Sequence, residues 1–414
     1  MNKILIRRPD RAVLTFYILL LFPILNFAQE IPLILISIDG FRYDYIEIYK
    51  PPHLLEIKKK GFSAKSLIPI YPSKTFPNHY SIITGLTAKN HGILSNSFKD
   101  KRRPKSIYKL SDRNSVKDGF WYLGEPFWAT ANKNGLKTAS YFWVGSEAKI
   151  NGYQPNYFFK YDHKTPDEKR VDQIIKWLKF PKKDRPSFLT LYFSKVDSAG
   201  HKFGPSSIKV KGAVHDVDDN IGRLIIGLKR EKIEANILIV SDHGMREIGS
   251  ESYTQIPSEI IKNKNIKIVG KGSLSLLYIN KEKEINKTYK VLKSSNDWTA
   301  YKKNEIPPQF NFVHKHRAPE ILIEAKPGKY LTLKPKKEPK KRGTHGYRPS
   351  DEKMHGIFLG LGPNIKNIKL GPVNNIDIFP FMAKLLNLKK LPKIDGKIGD
   401  LIQIYKENLN RTGK

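Results

Sequence analysis

The sequence predicts an α/β fold: a mostly parallel central sheet with helices on both faces and a smaller inserted cap region. Three observations carry the prediction. Near-continuous apolar runs of strand length recur at residues 31–39 (IPLILISID), 187–193 (SFLTLYF), 236–244 (NILIVSDHG) and 355–363 (HGIFLGLGP). Such runs suit parallel strands buried on both faces, and the C-terminal ends of those strands are where α/β sheets hold their chemistry. Helical patterns alternate with the runs, as a sheet covered on two sides requires. Finally, 414 residues at 39% hydrophobic content can build one large α/β domain or two smaller ones.

In chain order, residues 1–28 come first. They begin basic, continue in an apolar run from Ala12 to Ile24 and reach a small residue at Ala28. That is the order of a secretory signal peptide cleaved near Ala28. Pro23 interrupts the run, which falls short of the ~20 residues of a membrane span, so no span is expected after cleavage. The chain has no cysteine, whereas exported animal proteins of this size usually carry disulfides. An exported bacterial envelope protein, periplasmic or secreted, is the expectation. The net charge of +35 would draw anionic substrates toward the surface. Lysines spread along the whole chain also describe an ordinary solvated surface, and no aromatic-interleaved basic stripe marks a nucleic-acid groove. No stable nucleic-acid complex is expected.

A catalytic domain is expected over 29–400. Its helical patterns cover 52–60, 78–84, 126–133, 167–179, 211–229 and 376–386, and a fifth strand falls at 137–143. From 249 to 340 the pattern loosens into an insertion or cap with short strands near 273–279 and 320–333, ending in the lysine-rich run KPKKEPKKRG. Residues 401–414 read as a C-terminal tail. There is no internal repeat.

The chemistry centres on residues 71–96, YPSKTFPNHYSIITGLTAKNHGILSN. Pro77 suits the first turn of a helix, which sets the hydroxyl of Thr75 at a helix N-terminus. Exposed amides and the helix dipole favour negative charge there, on an alkoxide or a bound phosphate. An ordinary N-capping threonine is the competing explanation. Acids and imidazoles at strand ends and in nearby loops add Asp39, Asp197, His201, Asp242, His243 and His345. Three carboxylates and three imidazoles make a shell for two divalent metals, and the histidine content favours zinc. Asp197 and His201 are four apart with Gly200 between them, so a turn could aim both at one ion. Asp242 and His243 are adjacent, which works at a frayed strand end but not within a strand.

The motifs IDGFR, SKTFPNHYSIITGL, HGILSN, FWVGSE, VDSAGHKFGP, SDHGM and GTHGY, in this order, resemble the nucleotide pyrophosphatase/phosphodiesterase family of the alkaline phosphatase superfamily. The resemblance implies an alkaline phosphatase-like fold and two Zn2+ ions. It implies that Thr75 is the nucleophile, that Asp39, Thr75, Asp242 and His243 hold one zinc, and that Asp197, His201 and His345 hold the other. Asn96 would help hold a non-bridging phosphate oxygen. Phe76 and Tyr161 fall where the family stacks a nucleobase, although aromatics there equally suit core packing. Arg348 departs from the family, whose members often carry an acid after GTHGY.

The expected reaction is in-line attack by Thr75 on phosphorus, a phospho-threonine intermediate and its hydrolysis, releasing nucleoside 5′-monophosphates. A phosphate monoesterase would need further cations near the site, for which Lys149 and Lys160 are the candidates. A choline-phosphodiester hydrolase would keep the catalytic residues and change the pocket. A non-catalytic basic envelope protein would explain the charge and leave the metal shell unaccounted for. The physiological substrate and the oligomeric state are not legible in the sequence.

Overall fold

The structure, a computed structural model, describes residues 31–335 and 342–407. The expected signal peptide, part of the lysine-rich run and the end of the expected tail lie outside the described residues.

An eight-stranded sheet forms the centre. Its spatial order is Lys369–Leu370, Phe62–Ala64, Phe358–Leu361, Asn236–Val240, Leu33–Ile38, Phe188–Phe193, Thr138–Tyr141, Tyr157–Phe158. Leu33–Ile38 pairs in parallel with Phe188–Phe193 on one side and Asn236–Val240 on the other. Its side chains alternate between two cores, as the twofold strand period demands. Leu33 and Leu35 join one core with Tyr80, Ile83, Trp128 and Phe379, whereas Ile34, Ile36 and Ile38 join the other with Val171, Ile174, Val214 and Leu224. Burial on both faces is why these strands read as unbroken apolar runs.

One strand departs from the sequence reading. Phe358–Leu361 runs antiparallel to both Asn236–Val240 and Phe62–Ala64. An apolar run reports that both faces are covered and carries no information about direction. The helices follow the predicted pattern: Pro52–Lys60, Thr75–Thr84, Phe127–Lys133, Asp167–Leu178, Ile208–Arg230 and Ile378–Leu385.

Within 249–335 lies a four-stranded antiparallel sheet, ordered Ile266–Val269, Leu274–Ile279, Ile321–Ala325, Trp298–Lys302, with helix Glu282–Leu292 against it. Leu277, Ile279, Leu292 and Ile321 form a core of their own, while Leu274, Leu276 and Leu322 from the opposite face belong to the main core. The inserted sheet is thereby fused to the body through one of its two faces. At the C-terminus packing continues past residue 400, because Leu401 and Ile404 are buried in the main core. Among the described residues no helix is long and apolar enough to cross a membrane.

Candidate active site

Parallel registration places the site. Ile38 pairs with Phe193 and Ser37 with Val240, so the three central strands end together. Asp39 follows the first strand, Asp242 and His243 follow Asn236–Val240, and helix Lys195–Phe203 leads away from the third strand. Asp197 and His201 sit one turn apart on that helix rather than in the turn suggested by Gly200. The i,i+4 spacing aims both side chains from one helical face. His345 directly follows the short strand Arg342–Thr344.

Thr75 is the first residue of helix Thr75–Thr84, and Lys74 occupies the N-cap. The threonine therefore does not cap its own helix. Its Oγ1 lies 3.2 Å from His243 Nε2, which in turn stands 3.0 Å from Asp242 Oδ2 and 3.4 Å from Asp39 Oδ1. On the other side, His201 Nε2 is 3.4 Å from Asp197 Oδ1 and 3.1 Å from His345 Nε2, and His345 Nε2 is 3.9 Å from that same carboxylate oxygen. All seven residues expected to hold metal thus converge. The rings of His243 and His345 stack at 3.5 Å, so the two expected sets abut. Donor atoms within 4.8 Å of one another group Asp197 with His243 and His345, and Asp39 with His79 and Asp242, which cuts across the expected division.

The site fits a divalent cation. Asp39 Oδ1, Asp197 Oδ1 and Asp242 Oδ2 are buried carboxylate oxygens without a hydrogen-bond partner among the described residues. Buried charge of this kind is costly unless paired with a cation. The imidazoles are oriented from behind: His201 Nδ1 donates to Gly343 O at 3.0 Å and His345 Nδ1 to Ser73 O at 2.8 Å. Their Nε2 lone pairs then face one another, an arrangement that metal-ligating histidines adopt and that is repulsive without an ion.

Proton affinities express the same strain. Burial and the carboxylates of Asp242 and Asp197 push Asp39 well above the usual carboxyl range. Burial raises Asp197 to about 6. For His243 burial opposes protonation, but Asp242, Asp39 and Asp197 outweigh it and lift the ring to about 9. His345 is held well below the ordinary range by burial and by its histidine neighbours. In effect the carboxylates recruit a proton on His243 as a partial substitute for a divalent ion.

Two participants escaped the sequence reading. His79 sits one turn beyond Thr75, with Nδ1 at 3.0 Å from Thr75 O and 3.2 Å from Asp242 Oδ2, and Nε2 at 2.8 Å from Ser37 Oγ. The i,i+4 spacing from Thr75 within TFPNH was the available signal. Tyr192 donates to Asp39 Oδ2 at 2.6 Å from the neighbouring strand, and only its place near the strand's end hinted at this.

A cleft of about 320 Å³ opens over these groups, lined among others by Thr75, Phe76, Asn96, Arg113, Glu147 and Tyr161. Asn96 Oδ1 accepts from the Phe76 N–H at 3.0 Å, which leaves the amide Nδ2 for the cleft. Phe76 is half-buried and meets Tyr108 edge-on, while Tyr161 is exposed, packs against Phe142 and donates its N–H to Glu147 Oε1 at 2.9 Å. Lys149 and Lys160 do not line the cleft. Arg348 turns away to fork Glu324, with bonds of 2.6 to 3.0 Å, and to reach Tyr301 Oη at 2.6 Å. A positive side chain after GTHGY is thus satisfied by an acid from the inserted sheet.

Residues 33–348 match the type I phosphodiesterase/nucleotide pyrophosphatase family. The chain belongs to that family. It is 34% identical to a venom phosphodiesterase of Naja atra over 91% of its own length and 47% of the relative's, and 34% identical to human ectonucleotide pyrophosphatase/phosphodiesterase family member 1 over 91% and 42%. The chain spans about half the length of these curated phosphodiesterase relatives. Among solved structures, murine ectonucleotide pyrophosphatase/phosphodiesterase 5 superposes with a TM-score of 0.85 at 30% identity, over 91% of this chain and 100% of that one. An inactive threonine-to-alanine variant of the murine protein has been solved in complex with AMP, with the same TM-score of 0.85. The fold of this phosphodiesterase family member is accordingly alkaline phosphatase-like, with a large mixed sheet.

Proposed function

We propose that this chain is an exported, zinc-dependent nucleotide pyrophosphatase/phosphodiesterase that releases nucleoside 5′-monophosphates through a phospho-threonine intermediate. The observation that carries the reading is Thr75 Oγ1, held at a helix N-terminus 3.2 Å from His243 Nε2 beside three unpartnered carboxylate oxygens. Asp39, Thr75, Asp242 and His243 would hold one Zn2+ and Asp197, His201 and His345 the other, with His79 and Tyr192 orienting Asp242 and Asp39. Zinc, when bound, supplies the positive charge that makes a threonine hydroxyl easier to ionise and offsets charge developing on the phosphate.

The chain's own groups do the rest. The N-terminus of helix Thr75–Thr84 favours negative charge on the Thr75 oxygen. Asn96 Nδ2 donates to a non-bridging phosphate oxygen as that oxygen gains charge. Attack by Thr75 forms the new P–O bond as the leaving oxygen departs, and water then releases the nucleotide from the threonine. Phe76 and Tyr161, both on the cleft wall, receive the nucleobase. The AMP found in the murine relative supports a nucleotide over other esters.

Monoesters lack a free cation, because Lys149 and Lys160 lie off the cleft and Arg113 on its wall is paired with Glu147. The test compares p-nitrophenyl esters of thymidine 5′-monophosphate, phosphorylcholine and phosphate. The nucleotide ester should give the highest kcat/KM; a preference for either other ester sinks the nucleotide reading. Thr75→Ala should lose on the order of a thousandfold or more in turnover. It should keep its zinc content and unfolding midpoint, and retained activity would remove Thr75 as nucleophile.

A further inference from the structure

We propose a second anion-binding cleft, separate from the catalytic one, that holds the trailing phosphates of an oligonucleotide substrate; this rests on the nucleotide reading above. The cleft measures about 830 Å³ and lies between the loop after strand Ser97–Lys99 and the inserted region. Lys99, Lys302 and Lys303 line it, together with the amides of Asn280, Asn286 and Asn304.

The charge balance favours an anion. Asp100 at its edge is saturated by Arg102 and Arg317, with bonds of 2.7 to 3.0 Å. Glu320 is taken by Lys101 Nζ at 2.6 Å and by the Ile279 N–H at 3.0 Å. Among the described residues Lys99 and Lys303 make no ion pair, and Lys302 Nζ meets the neutral Asn286 Oδ1 at 2.8 Å and lies 5.0 Å over the Tyr289 ring. Among the described lining residues, Glu282 is the one acid left facing these three ammonium groups.

The chemistry selects phosphates rather than bases. The sole aromatic in the described lining, Tyr278, is buried, and its hydroxyl bonds Lys99 N and Arg317 O. No stacking platform is offered, so lysines and amides meet the backbone of a single strand. The catalytic end is close by. Strand Ser97–Lys99 leaves Asn96 at the reacting cleft and delivers Lys99 here, roughly 10 Å away at ~3.3 Å per extended residue. An oligonucleotide carries further phosphates across that interval, whereas a mononucleotide ester has none beyond the reacting one.

The test measures KM for the octanucleotide (dT)8 and for p-nitrophenyl thymidine 5′-monophosphate with the full chain. In Lys99→Glu/Lys303→Glu, KM for (dT)8 should rise about tenfold and its salt dependence flatten, since each lost phosphate contact removes ~0.7 from the log–log slope for single strands. The mononucleotide ester should be unaffected, and Glu282→Gln should lower KM for (dT)8. Equal changes for both substrates, or none for either, overturn the cleft. Should the parent protein turn over neither substrate, the nucleotide reading fails by itself. Fluorescence anisotropy of labelled (dT)8 then decides the cleft: weaker binding by the double variant upholds it and unchanged binding overturns it.

Discussion

Two buried polar clusters in this molecule contain aspartates that are almost wholly shielded from water, and they are built to opposite specifications. Around Asp100, every charge is answered. Arg317, itself fully buried, donates to Asp100 at 2.8 Å, to Gly92 O at 2.8 Å, to Trp121 O at 2.6 Å and to Phe120 O at 3.1 Å. Gly92, at φ +77, leaves the room: a Cβ there would come within 2.5 Å of that guanidinium. Burial disfavours ionisation of Asp100, but the bonds from Arg102 and Arg317 outweigh it and hold the carboxyl far below its usual range. Around Asp39, Asp197 and Asp242, by contrast, three oxygens are met only by imidazoles and by no arginine or lysine, and the carboxyls of Asp39 and Asp197 are driven upward. A saturated buried charge is a strut, whereas an unsaturated cluster is a receptor for a cation the chain does not encode.

Breaking the strut should have the larger thermodynamic effect. Arg317→Met leaves Asp100 to Arg102 alone and orphans the carbonyls of Gly92, Trp121 and Phe120, and should cost about 3–5 kcal/mol in urea unfolding. A loss below ~1 kcal/mol would mean that the strut is not what its bonds indicate. The neighbouring His91 offers a pH test of the same cluster. The Ile93 N–H donates to its Nδ1 at 3.1 Å and its Nε2 lies 2.9 Å from Ser81 Oγ, so the ring is held neutral. Burial and then the Arg317 charge lower its pKa to about 3. Between an unfolded pKa of about 6.5 and that value, only the unfolded chain binds the proton, so this group's contribution to stability falls as pH falls through that window. His91→Asn should therefore flatten the loss between pH 7 and pH 4.5 by about 2–3 kcal/mol. An unchanged acid limb would contradict the buried neutral ring.

The receptor should respond in the opposite sense to the strut. Asp39→Asn relieves repulsion and should stabilise the zinc-free protein by about 1 kcal/mol. The same variant should lose much of the stabilisation that zinc confers on the parent, about 2.7 kcal/mol at a hundredfold excess over Kd. Thermal unfolding with and without a chelator measures both. Destabilisation of the zinc-free form would show that Asp39 is a strut as well.

These two clusters also divide what the sequence discloses from what it conceals. Asp39, Asp242 and His243 of the candidate site were legible because parallel strands end in register, and a strand-end Asp or His stands out against an apolar run. Helix Lys195–Phe203 was mistaken for a turn because Gly200 is a poor helix former that here meets the close approach of Met245. The reversed strand Phe358–Leu361 was hidden because burial has no polarity. The Asp100–Arg317 pair left no local trace at all, since its partners are 217 residues apart and each reads as a surface charge.

The donors are drawn from far apart in the described chain. Asp39 closes the first strand, and His345 follows the short strand Arg342–Thr344. During synthesis the first ligand leaves the ribosome long before the last, and the parallel strands between must find non-neighbouring partners before the shell exists. A metal held by both residues would therefore be captured only after the strands that carry them have paired. A filled site would then report that the chain from Asp39 to His345 has been made and threaded.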